Sequence, residues 1–223
     1  KTVEYLAYDK DEISYYLKRF DTVSVREDYA VDSFRENFNI YAQRVLDPVF
    51  LCDIDKYKAL ASSYIDETEK QMFAYILDMN NEISESLKAL GDCLGTDCFV
   101  ISDAEKIQGR PNCLIEKWLA KIIKCKYMIT DSFHGMCMAI LFNKQFVAIK
   151  NINRGGERFD SLLGLFGLKG RLIQKGDYSN MKNILFEKID YNRVMKILET
   201  EKARSKEWLY NALNNESLTI VAF

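Results

Sequence analysis

Short apolar runs recur along the chain at roughly 25-residue intervals, and stretches with apolar positions at helical spacing fill the gaps between them. Thr22–Arg26 (TVSVR), Tyr41–Val45, Phe73–Leu77 (FAYIL), Cys98–Ser102 (CFVIS), Tyr127–Thr130 (YMIT) and Gln145–Ile149 (QFVAI) read as buried strands, with Arg171–Ile173 as a last short one. Residues 9–20 predict a helix, with Ile13, Tyr16, Leu17 and Phe20 on one side. Asp28–Asn37 and the charged stretch 55–70 predict two more. A further helix follows Phe73–Leu77 and runs to Leu90, with Gly91 as its expected stop. After a polar loop to Pro111, Leu114–Cys125 is amphipathic through Trp118, Leu119, Ile122 and Ile123. Met136–Phe142, the run FDSLLGLFG from Phe159 and residues 190–213 complete the helices. Strand and helix in alternation predict an α/β fold: a Rossmann-like parallel sheet with helices on both faces. The clearest boundary lies near residues 47–72, and no internal repeat or low-complexity tract is present.

Composition narrows the partners. The 223 residues carry a formal net charge of −2, so no electrostatic case exists for nucleic acid. No apolar run reaches the roughly 20 residues needed to span a bilayer. Residues 1–12 have no signal-peptide pattern, and a cytoplasmic location is expected. Six scattered cysteines fit reduced thiols. Cys93 and Cys98 enclose four residues, but no second pair or nearby histidine completes a zinc set, so no metal site is expected. The chain opens directly in an amphipathic stretch without an initiator methionine, which suggests a fragment of something longer.

One position gathers chemistry. The only histidine, His134, falls where the strand Tyr127–Thr130 turns into a helix. In such βαβ units ligands sit beyond the carboxyl ends of strands, and a helix N-terminus favours anions. Asp131 and Ser132 are both natural N-caps, and Ser132 could equally hydrogen-bond a ligand. Gly135 would let a ligand approach the backbone closely. An imidazole there can donate to an anion or move a proton near neutral pH. Downstream, the loop NRGGER carries Arg154 and Arg158 around a Gly-Gly pair, suited to a carboxylate or phosphate or simply to a solvated turn. Arg26 and Glu27 follow a buried strand, where a structural Arg–Glu pair is the plainer reading. No P-loop or G-x-G-x-x-G run is present. These residues alone describe an anion-binding α/β domain with an acid/base histidine, and no particular reaction.

The ordered set Ser24-Val25-Arg26-Glu27, Val45-Leu46-Asp47-Pro48, Ile129 to Gly135, Arg158-Phe159 with Leu162-Leu163, and Gly167-Leu168 ending at Arg171 resembles the polysaccharide pyruvyl transferase family. The resemblance implies a two-domain, glycosyltransferase-B-like enzyme. Residues 1–50 would end its N-terminal Rossmann-like domain. Residues 51–213 would form the C-terminal domain, with a long helix packing back across the interface, and 214–223 a tail. It implies transfer of the pyruvyl group of phosphoenolpyruvate onto a sugar of a bacterial cell-surface polysaccharide precursor, as a ketal. No cofactor is implied beyond that donor substrate. The acceptor would be a sugar or lipid-linked oligosaccharide, which leaves room for peripheral membrane association.

His134 matches the motif histidine and takes the catalytic role. Arg26 becomes a donor contact, joined by Ser132, Gly135, Arg154 and Arg158, with Arg171 matching a later arginine. One departure stands out: many members have Arg-Leu-His where this chain has Ser132-Phe133-His134, so another cation, Arg154 or Lys150, would have to compensate. Rival readings are an enzyme using a nucleotide-sugar donor and a non-catalytic fragment, and the chain alone is expected to be inactive.

Overall fold

The structure is a computed structural model that describes residues 7–65, 71–102 and 113–214. Residues 66–70 of the expected helix 55–70, the polar loop up to Pro111 and residues 215–223 of the tail lie outside the described residues. The chain divides into two compact units, residues 1–51 with 195–223, and residues 52–194.

In the first unit, α1 (Ala7–Leu17), β1 (Ser24–Val25), α2 (Asp28–Phe38) and β2 (Gln43–Arg44) follow in order, and β1 pairs with β2 in parallel. Asp47 then caps a short 3-10 turn, Pro48–Phe50, its carboxylate accepting from the Val49 N–H at 3.0 Å.

The second unit contains α3 (Ile54–Ala61), β3 (Met72–Ile76), α4 (Asn81–Leu94), β4 (Cys98–Ser102), α5 (Ile115–Lys124), β5 (Tyr127–Thr130), α6 (Phe133–Leu141), β6 (Gln145–Ile149), α7 (Glu157–Phe166), β7 (Leu172–Ile173) and α8 (Met181–Phe186). The last helix, α9 (Tyr191–Leu213), starts in this unit and from Met195 groups with the first.

The five strands β3–β7 pair in parallel, in the order β4-β3-β5-β6-β7. Alternate side chains divide between two layers. Met72, Ala74, Ile76, Ile129, Val147 and Ile149 pack with Ile83 and Leu87 of α4 and with Met181, Ile184 and Leu185 of α8. On the opposite face Tyr75 meets Trp118 of α5 edge-on, with ring centroids 5.4 Å apart. Full burial of a side chain such as Phe73, Met128 or Phe146 stabilises by about 1.5–3 kcal/mol each. The parallel sheet clothed on both faces is the one the strand spacing predicted.

Two local expectations change. Gly91 does not stop α4, which continues to Leu94 with Gly95 as its cap. Gly91 is buried because a Cβ there would come 2.8 Å from the Thr96 carbonyl oxygen, so its role is close packing. The short helix α8 went unread in the sequence, since six residues give too little periodicity to separate from loop.

The strand order carries the functional geometry. From β3 the chain steps out to β4, returns past β3 to β5, and then proceeds the other way through β6 and β7. The winding therefore reverses between β3 and β5, and beyond the carboxyl ends of those strands a doubly wound sheet opens a crevice.

Candidate active site

The segments leaving β3, β5 and β6 meet at that crevice. Thr130, the last residue of β5, donates its hydroxyl to the Tyr75 carbonyl on β3 at 2.7 Å and accepts from the Ser132 N–H at 3.0 Å. Ser132 adopts extended backbone and caps α6, its Oγ accepting from the Gly135 N–H at 3.3 Å. The Cβ side of Gly135 faces the sheet. A Cβ there would collide with Thr130 Oγ1 and come 3.1 Å from Tyr75 Cδ1, so its smallness lets α6 seat on the sheet.

Asp131 does not cap α6. Its buried carboxylate reaches across the reversal and accepts from the backbone N–H groups of Leu77 at 2.6 Å and Asp78 at 3.0 Å. Burial pushes its carboxyl above the usual carboxylate range, against the pull of those N–H donors. Asn151, also buried, donates to Asp78 at 2.6 Å and to Asp131 at 3.3 Å. Arg154 places Nε 3.3 Å from both Asp78 oxygens and Nη2 2.9 Å from one of them. The bonds from Arg154 and then Asn151 hold the Asp78 carboxyl below its usual range.

Above this frame lies a cavity of about 240 Å³ lined by Ser132, His134, Arg154 and Arg158, with Phe133 and Phe159 as its apolar side. The His134 ring is exposed and stands 5.7 Å from that of Phe133. The Arg158 guanidinium sits 5.0 Å over the Phe133 ring and donates to the carbonyls of Arg154 and Gly155. Gly155 is required on two counts, a φ of 77° and a Cβ that would stand 3.0 Å from Arg158 Nε. A neighbouring cavity of about 190 Å³ shares Asp131 and is lined further by Asp78, Asn151, Lys150 and Lys175. Lys150 forms an ion pair with Asp160 on α7.

The expected site residues thus separate. Ser132, His134, Arg154 and Arg158 share one cavity, whereas Gly135 is packed beneath it. Arg26 belongs to the first unit, where its guanidinium pairs with buried Asp47 and lies 3.9 Å from Glu27. Asp47 is therefore the closer partner of Arg26, not the adjoining glutamate, and it ties together the two motif runs that follow β1 and β2. Arg171 is buried, and its guanidinium donates to the carbonyls of Ile184 and Glu187 at the end of α8. Sequence reading missed Asp78 and Asn151 and mistook Asp131 for a cap. Each is a polar residue placed one or two positions after an apolar strand, a signal strong enough to mark the carboxyl ends in advance.

The arrangement offers an acid/base imidazole, two guanidiniums and a helix N-terminus around a small concavity, a set suited to an anionic substrate. Among the described residues no three His, Cys, Asp or Glu side chains group as metal ligands do, and no helix is long and apolar enough to cross a membrane.

Two solved structures of the wall teichoic acid polymerase TagF are similar at 14% and 13% identity, each covering 94% of this chain, with TM-scores of 0.41 and 0.39. The chain spans 63% and 65% of those two proteins. No curated protein matches it. The family model for polysaccharide pyruvyl transferase matches residues 7–153, from α1 to the loop after β6, and the chain therefore belongs to the polysaccharide pyruvyl transferase family.

Proposed function

We propose that the chain is part of a cytoplasmic enzyme that moves the pyruvyl group of phosphoenolpyruvate onto two hydroxyls of a sugar in a cell-surface polysaccharide precursor. The observation that carries this reading is the cavity at the sheet's winding reversal, where His134 stands with Arg154 and Arg158 in a chain of this family. Phosphoenolpyruvate brings a carboxylate and a phosphate, and guanidiniums bind both groups in forked geometry.

The reaction begins with a proton delivered to the methylene carbon of the donor. That leaves an oxocarbenium-like centre at the carbon bearing the phosphate. One sugar hydroxyl adds there, phosphate departs, and the second hydroxyl closes the ketal. Two hydroxyl protons are released in all: one balances the new methyl group and one leaves with phosphate. His134 is the proton-moving group on this reading, because its exposed ring opens on the arginine-lined cavity. Arg158, braced over Phe133, holds the donor anion. Arg26 is a further donor contact by family match alone, and its pairing with Asp47 fits a structural duty as well.

The test is a full-length assay with phosphoenolpyruvate and lipid- or nucleotide-linked sugars, following phosphate release and ketal formation. His134→Ala is expected to lower kcat by about 10²–10⁴-fold, the usual worth of a positioned acid/base group, with thermal stability unchanged. Full activity in that variant would overturn the catalytic assignment. Turnover of a nucleotide-sugar with none of phosphoenolpyruvate would overturn the donor.

A further inference from the structure

The crevice at the winding reversal holds two cavities, and their linings differ. Arg154 and Arg158 line only the one beside His134, whereas Asp78, Asn151 and Lys175 line only its neighbour of about 190 Å³. Asp131 lines both, so the cavities adjoin there. The first lining is cationic and suits an anion. The second mixes carboxylate, amide and ammonium groups with the apolar side chains of Ile83, Ile149 and Ile152.

Asn151 is the most telling of these groups. It is only 7% exposed, and its amide nitrogen donates to Asp78 at 2.6 Å and to Asp131 at 3.3 Å. Both amide hydrogens are thereby committed, and the amide is fixed in orientation. Its carbonyl oxygen accepts from no described residue, although buried acceptors in folded proteins nearly always find a donor. Asp131 also keeps acceptor capacity: the N–H groups of Leu77 and Asp78 and the Asn151 amide fill three of its roughly four positions. Lys175 is exposed and makes no hydrogen bond to a described residue, which leaves its ammonium group as a donor.

A ligand completes this set if it donates to the Asn151 and Asp131 oxygens and accepts from Lys175. Hydroxyl groups do both. A small ring that carries several of them on an apolar frame is a sugar. Phosphoenolpyruvate offers acceptors rather than donors, and it would face the two carboxylates. Size points the same way, since about 190 Å³ holds one ring and falls short of the roughly 300–1,000 Å³ that larger ligands occupy. We propose that this second cavity is the acceptor subsite, where Asn151, Asp131 and Lys175 hold one sugar ring by its hydroxyls; the proposal rests on the pyruvyl-transfer reading. A ring seated there has the donor cavity beside it across Asp131.

The experiment uses the full-length protein labelled at its isoleucine δ1-methyl groups. The probes are the methyl glycosides of glucose, galactose, mannose and N-acetylglucosamine. At least one is expected to shift the Ile83, Ile149 and Ile152 methyl resonances saturably, while phosphoenolpyruvate leaves them in place. Ile152 is 70% exposed, so Ile152→Trp fills the cavity from its open side without disturbing the core. That variant is expected to raise the acceptor KM by about tenfold or more, with the melting temperature and the KM for phosphoenolpyruvate unchanged. Lys175→Met is expected to raise the acceptor KM by about tenfold, again without a change in the donor KM.

Methyl shifts produced by phosphoenolpyruvate instead of a sugar would assign the cavity to the donor and overturn the proposal. An unchanged acceptor KM in Ile152→Trp overturns it too, and leaves the pyruvyl-transfer reading standing because the enzyme still turns over. Binding by none of the four glycosides likewise overturns it. If the wild type consumes no phosphoenolpyruvate with any acceptor, the parent reading fails, and the methyl titration still decides whether the cavity takes a sugar.

Discussion

The two ends of the five-stranded sheet both carry cations, and they use them differently. At the amino ends of β6 and β7, Lys144 and Arg171 donate to backbone carbonyls. Lys144 reaches the carbonyls of Ile123 at 2.6 Å and Cys125 at 2.9 Å, and Arg171 reaches those of Ile184 and Glu187. Tyr191 closes the same end by donating to the Lys144 carbonyl. Burial lowers the pKa of Lys144 and raises the Cys125 thiol to about 12. At the carboxyl ends, Arg154 leans on a carboxylate and Arg158 on an aromatic face, both beside a cavity and partly in solvent. The cations at the amino ends close the fold on buried carbonyls, whereas Arg154 and Arg158 line the rim of a cavity. Charge alone does not mark a site; the partner does.

Arg171→Met tests the structural end most severely. It leaves two carbonyls without their donor, and a loss of about 2–4 kcal/mol in denaturant unfolding is expected, with activity falling only as folded protein is lost. A harmless Arg171→Met would break the contrast. Gly135→Ala comes next, since its Cβ has to push Thr130 and Tyr75 aside. A loss of about 1–3 kcal/mol is expected, read as a lower melting temperature, and activity should fall along with it because His134 rides on the same turn of helix.

A third test sharpens the chemistry of the closed end. Cys125 keeps its proton to about pH 12 in the folded state, while in the unfolded chain it titrates near the ordinary value of about 8.5. Between those values the unfolded chain binds fewer protons, so its contribution to stability is full below pH 8.5 or so and is lost as pH rises toward 12. Urea midpoints measured across that range should slope downward in the wild type and less steeply in Cys125→Ala. The smallest stability effect is expected for Arg158→Met. Its contact over Phe133 is worth about 1 kcal/mol or less to folding, yet the KM for the donor should rise. Unfolding by Arg158→Met would erase the distinction between the two ends.

Much of this was legible in the chain. Tyr127–Thr130 and Gln145–Ile149 were read with their observed limits, because short apolar runs between polar turns have few other ways to be buried. Ser132 was readable as a cap, since its preference depends on backbone a few residues away. Gly91 is not the stop that the sequence suggests, because whether a glycine ends a helix or allows a tight contact depends on what lies opposite its missing Cβ. Asp131 was misread in the same way, because its partners Leu77 and Asp78 are more than fifty residues earlier in the chain.

By itself, then, the amino-acid sequence determined the parallel α/β class, the strand–helix junction at His134 and the family. Those depend on local periodicity and on motif residues in order. Only the tertiary structure decided which charged groups share a cavity. The return of the chain from β4 past β3 to β5 brings Asp78, Asp131 and Arg154 together. It also sends Arg171 into the closed end and Lys150 to Asp160. Strand order is set by how helices cover both faces of a sheet, a long-range condition that no local stretch of sequence encodes.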